Sequence, residues 1–172
     1  HRTYPRQPAY LYALAAVRWR KGETVETARL MKIYVDVQPR DASGFYLLGA
    51  AALRQDLLAE AQTALLRSLS LKADADTEYL LGASLEKAGK RAAAIESYRR
   101  VIGSQADHAA AHAALGSAYR EAGNYAEARV ELERAHVEHR GRLARLASQQ
   151  RPYACHELGK RERLDDVVVG AG

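Results

Sequence analysis

Two histidine pairs have the spacing that could hold a metal ion. His108 and His112 are four residues apart, and His136 and His139 are three apart. On a helix, residues at these spacings share one face, and an i, i+4 pair can chelate a metal. Two ligands without a nearby third are more often surface side chains. We therefore predict neither a metal site nor a cofactor.

The other candidate for chemistry is the neighbouring pair Cys155 and His156. A cysteine nucleophile needs a base that meets it in space and a third group that orients the base. Nothing in the sequence supplies that third group, and no glycine-rich phosphate loop is present. Cys155 is the single cysteine, so it forms no internal disulfide and no cysteine-built metal site. We expect the protein not to be an enzyme.

Basic residues crowd the last quarter of the chain, and the formal net charge of the whole chain is +5. The basic residues there are Arg134, Arg140, Arg142, Arg145, Arg151, Lys160, Arg161 and Arg163. Such a cluster could contact an acidic partner, an anionic lipid surface or nucleic acid. Tyr153 is the one aromatic residue available nearby for base stacking. We favour a solvated cap and predict no specific nucleic-acid binding.

Composition favours a folded, helical chain that does not cross a membrane. Hydrophobic residues make up 48% of the 172 residues and are mostly Ala and Leu, which suits packed helices. The sequence has no run of about 18 apolar residues, so no membrane span is predicted. The lone cysteine fits a reducing compartment, so a cytoplasmic location is favoured. The chain begins at His1 and its single methionine is Met31, so we expect a processed piece whose targeting segment could be missing, and localisation stays open.

These side chains must be positioned by elements that repeat along the chain. The sequence motif around Leu48-Gly49 recurs at Leu81-Gly82 and Leu115-Gly116, at offsets of 33 and 34 residues. An earlier copy has Leu14-Ala15. A second marker keeps the same period, with the residues Thr27, Ala61, Ala94 and Ala128. Two markers with one period over four copies predict a repeat architecture.

Each copy is interpreted as two helices joined by a tight turn. First helices are predicted to begin near residues 8, 42, 75 and 109, and second helices near 24, 58, 91 and 125. The predicted repeats are 8–41, 42–74, 75–108 and 109–142, preceded by a leader or added segment at 1–7. Residues 143–172 are predicted to form a capping helix that Pro152 ends, or half of a fifth repeat, and a tail.

Small residues at the paired markers predict close contact between the two helices of a hairpin. We expect Gly49, Gly82 and Gly116 to face the second helix of their own hairpin, opposite the alanine marker. Small side chains allow two backbones to approach, while larger neighbours fill the flanks.

These residues resemble the tetratricopeptide repeat, a 34-residue helical hairpin with a Leu-Gly slot, an alanine slot and a closing proline. Pro39 matches that proline in the first copy, and Ala73, Ala106 and Arg140 replace it later. The resemblance covers residues 8–142. It implies an all-α fold: a right-handed superhelix of four hairpins with one or two C-terminal capping helices.

The resemblance also implies which residues line the concave face of the stack. In this sequence they form a ladder of tyrosines, a floor of small residues and a more varied end. They are Tyr12, Ala16, Trp19, Tyr46, Ala50, Leu53, Tyr79, Ala83, Glu86, Ser117 and Arg120. These positions lack the Lys and Asn with which some relatives grip a C-terminal carboxylate. Binding of chaperone C-terminal tails is therefore not expected.

The predicted function is a protein-interaction scaffold that binds a peptide segment of another protein in a groove anchored by Tyr12, Tyr46 and Tyr79. The competing interpretation is that these tyrosines pack between hairpins. Other functions stay open: a structural self-assembly module, hence a possible homo-oligomer, or a regulatory domain of a larger protein. The segment from Leu11 to Gly22 is also similar to the first repeat of bacterial type III secretion translocator chaperones, which implies a chaperone for a secreted protein.

Overall fold

The computed structural model describes the backbone of residues 7–168 and the side chains of residues 7–146. Within that range the chain forms eight α-helices, and it has no β-strand. The predicted leader at 1–7 lies outside the described residues except for Gln7. None of the described helices is long and apolar enough to cross a membrane.

The helices begin at the residues that the repeat period predicts. The first helices of the four hairpins are α1 (Pro8–Arg20), α3 (Ala42–Arg54), α5 (Ala75–Lys87) and α7 (Ala109–Glu121). The second helices are α2 (Thr24–Val37), α4 (Leu58–Leu71), α6 (Arg91–Ser104) and α8 (Tyr125–Val168). Each helix contacts the next one along the chain, and α5 also contacts α3 and α7. The chain is a stack of helical hairpins, a repeat superhelix in which the first helices α3, α5 and α7 are neighbours along one side.

Close approach within each hairpin occurs at the predicted small-residue slot. A Cβ atom added to Gly49 would lie 2.7 Å from Leu65 Cγ, and one added to Gly116 would lie 2.8 Å from Leu132 Cγ. At Gly82 the added atom would lie 2.6 Å from the Tyr98 ring. The prediction that these glycines face the second helix of their own hairpin is confirmed. Any larger residue would have to displace a side chain from the hairpin interior.

The turns inside the hairpins require a left-handed residue after the first helix. Gly22, Gly89 and Gly123 have φ angles of 77°, 74° and 81°, and Asp56 occupies the same repeat position with φ 61°. Glycine adopts this conformation without steric cost, and aspartate tolerates it better than most residues. The chain therefore reverses within three residues in every copy, which keeps the paired helices antiparallel and adjacent.

The last helix does not end where the sequence analysis predicted. We predicted that residues 143–172 form a capping helix that Pro152 ends, or half of a fifth repeat, and a tail. Instead α8 is one continuous helix of 44 residues from Tyr125 to Val168. A proline inside a helix removes one donor and bends the axis, and here the helix continues beyond it.

The slot can be tested by adding one methyl group at two glycines with opposite surroundings. Gly82→Ala should lower the free energy of unfolding by about 1–3 kcal/mol, because the new Cβ overlaps the ring of Tyr98, which is 1% exposed. The control is Gly103→Ala in α6, where an added Cβ meets no atom within 4 Å. It should leave stability unchanged or raise it by up to about 1 kcal/mol, since alanine is the better helix former. Urea unfolding measures both, and an equal loss in the two variants would contradict the close-approach account.

A second series tests the turn at Gly89. A Cβ there would meet no atom within 4 Å, so any cost must come from the backbone conformation. Gly89→Ala should lower the free energy of unfolding by about 1 kcal/mol, and Gly89→Asn by less, because Asn visits the left-handed region more readily. Thermal and urea unfolding of the three proteins give the order. Equal destabilisation by Asn and Ala would argue against backbone strain as the cause.

Candidate functional site

Two of the three groove tyrosines meet at one open cavity. Tyr12 on α1 and Tyr46 on α3 are both half-buried and line a cavity of about 230 Å³. The remaining lining residues come from the start of α3, the end of α4 and the start of α5. They are Ala42, Ser43, Ser68, Lys72, Asp74, Asp76 and Thr77. The structure thus joins the first two members of the predicted ladder in a concave site that is open to solvent.

Helix ends shape this cavity. Asp74 caps α5 by accepting a hydrogen bond from the backbone N–H of Thr77 at 2.9 Å and another from the Thr77 hydroxyl at 2.7 Å. Ser68 on α4 donates its hydroxyl hydrogen bond to the carbonyl oxygen of Ala42 at 2.8 Å. The Ser68 bond holds the start of α3 against the end of α4, and the Asp74 cap fixes the start of α5.

A second tyrosine supports Tyr12 from behind. The rings of Tyr12 and Tyr34 have centres 5.5 Å apart at an angle of 55°, a tilted aromatic contact. The Tyr34 hydroxyl donates a hydrogen bond to the carboxylate of Asp41, the N-cap residue of α3. Burial, assisted by this carboxylate, raises the pKa of Tyr34 to about 12. One edge of the Tyr12 ring is therefore packed against Tyr34, which in turn joins α2 to the start of α3.

Tyr46 lies in a field dominated by carboxylates. Burial raises the pKa of Tyr46, and the nearby carboxylates of Asp76 and Asp74 raise it further. Its phenol accordingly stays protonated well above neutral pH and can donate a hydrogen bond to a ligand. Lys72 is the one basic side chain among the residues that line the cavity.

Tyr79 is placed differently from the other two tyrosines. Its ring contacts Tyr98 at 5.8 Å and His108 at 5.3 Å between ring centres, and it packs against the core of the third and fourth hairpins. Burial, with a contribution from Glu86, raises the pKa of Tyr79. All three tyrosines are half-buried, but Tyr79 does not line the Tyr12–Tyr46 cavity, so the cavity contains two of the three members of the predicted series.

The other predicted groove residues differ in accessibility. Ala16, Leu53, Ala83 and Ser117 are half-buried, Arg120 is exposed, and Ala50 is only 5% exposed, so Ala50 can offer a ligand very little surface. The guanidinium of Arg54 lies over the Trp19 ring, 4.3 Å from its centre. Glu86 accepts a hydrogen bond from the Tyr98 hydroxyl at 2.8 Å. Trp19 and Glu86 are thus already engaged by neighbouring side chains.

Sequence reasoning missed the contribution of α4 and of the linker before α5. Ser68, Lys72, Asp74, Asp76 and Thr77 line the cavity but were not among the predicted site residues. The run Asp74-Ala75-Asp76-Thr77 carried a readable signal, since an Asp three residues before a Thr at a helix start predicts a cap. That signal locates the cap but not the cavity that forms beside it.

The paired histidines serve local structure where the structure describes their contacts. His112 is buried, with Nδ1 2.6 Å from Glu131 Oε2 and Nε2 3.0 Å from the Ala106 carbonyl oxygen. His108 Nδ1 accepts a hydrogen bond from the Ala111 backbone N–H and caps α7. In residues 7–146 no group of three His, Cys, Asp or Glu side chains is placed to hold a metal. The pair Cys155–His156 lies outside the residues whose side chains are described.

Comparison with known proteins identifies the repeat. Residues 79–148 match the family model of the tetratricopeptide repeat. None of the curated proteins matches the sequence.

Solved structures with the same fold cover most of the chain. A crystal structure of MamA has a TM-score of 0.77 and 26% identity over 81% of this chain and 82% of its own. MamA from Desulfovibrio magneticus RS-1, from residue 41 to its end, has a TM-score of 0.74 and 18% identity over 79% of this chain and 77% of its own. YrrB, described as a tetratricopeptide repeat protein with an unusual peptide-binding site, has a TM-score of 0.71 and 19% identity over 84% of this chain and 75% of its own.

The family match, these folds and the helix-pairing slots agree. The fold is that of a protein-interaction scaffold, and residues 79–148 match the tetratricopeptide repeat.

Proposed function

We propose that the protein binds a peptide segment of a partner protein on its concave side, with the cavity between Tyr12 and Tyr46 as the anchor site. The observation that supports this proposal is the cavity of about 230 Å³, which has two half-buried phenol rings on its walls. A space of this size accommodates one large apolar or aromatic side chain. Tyrosine makes a good anchor because it contributes much contact area while few torsions are frozen.

The same cavity favours a partner segment with a basic residue beside the anchor. Its rim carries the carboxylates of Asp74 and Asp76 against the single ammonium of Lys72. The Asp76 side chain is 71% exposed and lies 3.5 Å from His108 Nε2, so it remains accessible to a ligand. Charges at a rim contribute to orientation and to association rate more than to affinity. We therefore assign affinity to the two tyrosines and orientation to the two aspartates.

The family and the fold support this proposal at a coarser level. Tetratricopeptide arrays present an extended concave surface built from neighbouring first helices. YrrB, which has the same fold at low identity, is described as having a peptide-binding site. The likeness to secretion chaperones and the role as a regulatory domain of a larger protein stay predictions from the sequence.

The proposal is tested with two aromatic residues that are neighbours on α3. Tyr46 lines the cavity, whereas Phe45 faces a separate groove, where Arg67 lies 5.9 Å from the centre of its ring. Both side chains are half-buried. Short random peptides displayed on phage are selected against the wild-type protein, and the dissociation constants of the selected peptides are then measured for each variant.

Tyr46→Ala should weaken binding of the selected peptides by about tenfold or more, as expected for an anchor residue. Phe45→Ala should leave the dissociation constants within about twofold, because it removes a similar ring from another surface. Circular dichroism and melting temperature establish that both variants are folded. Equal binding by the two variants would overturn the anchor assignment, and a loss confined to Phe45→Ala would move the site to the other groove.

A further inference from the structure

The outer side of the first hairpin exposes two positions, those of Tyr10 and Val17, that every internal junction buries. Tyr10 is 46% exposed and Val17 is 49% exposed, and Ala13 between them is exposed as well. The residues at the same repeat positions in later copies are small and buried. They are Gly44, Thr77 and Ala111 in place of Tyr10, and Ala51, Ser84 and Ala118 in place of Val17. We call Tyr10, Ala13 and Val17 the N-terminal face.

The outer side of α8 shows the complementary feature. Leu132 is 39% exposed, although its counterparts Met31, Leu65 and Tyr98 are almost completely buried. Ala135 is half-buried where Tyr34, Ser68 and Val101 are buried, and His136 is exposed. We call Leu132, Ala135 and His136 the C-terminal face. These residues occupy the repeat positions that contact the next hairpin at the internal junctions.

Both faces are unusual for the ends of a repeat array. Terminal repeats generally present polar outer faces, because an uncovered apolar junction lowers solubility. Contiguous exposed apolar patches on a folded protein commonly mark a contact with another protein. Within residues 7–146, the structure shows no element that covers either face.

The sizes of the side chains at the internal junctions indicate which surface could cover the N-terminal and C-terminal faces. At the first junction the large Tyr34 packs on Gly44, where an added Cβ would lie 2.6 Å from the ring. At the third junction Val101 packs on Ala111, and at the second Ser68 and Thr77 line the same cavity. Each junction therefore matches the size of one partner to the size of the other. The two residues at these positions that have no counterpart within the described chain are Tyr10 and Ala135. Here the large side chain is on the first helix of a hairpin and the small one on the second helix, the reverse of the Tyr34–Gly44 pair.

We propose that the N-terminal face of one copy of this chain stacks on the C-terminal face of a second copy, so that the protein assembles head to tail. Tyr10 of one copy then lies against Ala135 of the next and fills the place that Tyr34 fills at the first junction. The two faces are different surfaces, so the contact is heterologous and leaves one free face at each end of the assembly.

This assembly is a separate property from peptide binding. Neither face includes Tyr12 or Tyr46, so the cavity stays open in a stacked pair. Successive copies would present their cavities along one continuous array. A partner with several binding segments would then be held more tightly than a single cavity allows, because later segments bind at high effective concentration.

Sedimentation of the whole chain over a range of concentrations tests the assembly. The wild-type protein should show a mean mass that rises with concentration. Tyr10→Glu and Ala135→Glu should each raise the dissociation constant about tenfold or more, because each places a charge in an apolar contact. A wild-type protein that stays monomeric at the highest concentration would overturn the proposal, including the case in which other residues of the chain cover a face.

A control variant has the same chemistry away from the faces. Val25 is 69% exposed, and the residues at its repeat position in the other copies are exposed too. Val25→Glu should associate like the wild type. If this control weakens association as much as the face variants do, the effect is one of net charge and the proposal fails.

Mixing separates head-to-tail stacking from a symmetric dimer. Tyr10→Glu keeps a native C-terminal face, and Ala135→Glu keeps a native N-terminal face. Each variant alone should remain monomeric, whereas an equimolar mixture should form a heterodimer and nothing larger. Absence of a complex in the mixture would overturn the proposal, provided that circular dichroism shows both variants to be folded.

Exchanging the large side chain at position 10 and the small one at position 135 gives a rescue experiment that does not depend on charge. Ala135→Tyr alone should weaken association, because two tyrosines would compete for one space. The double variant Ala135→Tyr/Tyr10→Gly recreates the pairing of Tyr34 with Gly44 and should restore it. Failure of the folded double variant to associate better than Ala135→Tyr would contradict the assigned contact.

Discussion

The structure depends on the close approach of two helices within each hairpin. At Gly49, Gly82 and Gly116, the missing side chain lets the second helix place Leu65, Tyr98 and Leu132 against the first helix backbone. The first copy meets the same requirement with Ala15, which is fully buried. Overpacking at such a slot separates the helices, and every later contact in the stack depends on their separation. The slot is therefore occupied by a small residue in all four copies, while the flanks vary.

The residues that meet between neighbouring hairpins vary in type, because a large side chain on one helix can be matched by a small one on the other. A tyrosine opposite a glycine and a valine opposite an alanine both give buried contacts. The second junction combines two mid-sized polar residues, Ser68 and Thr77, and both of them line the cavity that also holds Tyr12 and Tyr46. The candidate site thus lies where the junction is least filled by apolar side chains. A binding site in a repeat protein can arise in this way without any change in the backbone pattern.

The same logic connects the cavity with the ends of the stack. A junction that is partly filled provides a cavity, and a junction with only one side present provides an exposed apolar face. Helical repeats of this kind support many unrelated partners, so the fold supplies the surfaces, and the side chains on them decide what is bound. Here the cavity is bordered by Tyr12, Tyr46 and two aspartates, whereas Tyr10 and Ala135 are not covered by any other element of the described part of the chain.

Much of the architecture was determined by the sequence alone. The period of 33 and 34 residues placed the helix starts, and the Leu-Gly slot indicated which residues pair within a hairpin, because both depend on patterns among residues close in the chain. Proline was a poorer guide, since α8 continues past Pro152 to Val168. Tyr12, Tyr46 and Tyr79 looked equivalent in sequence because they occupy one repeat position. Only the tertiary structure divided them: Tyr79 is held between Tyr98 and His108, while Tyr12 and Tyr46 border a cavity with Asp74 and Asp76. The reason is that a cavity is set by the volumes of side chains from helices distant in the chain, and a periodic pattern carries no information about how those volumes add.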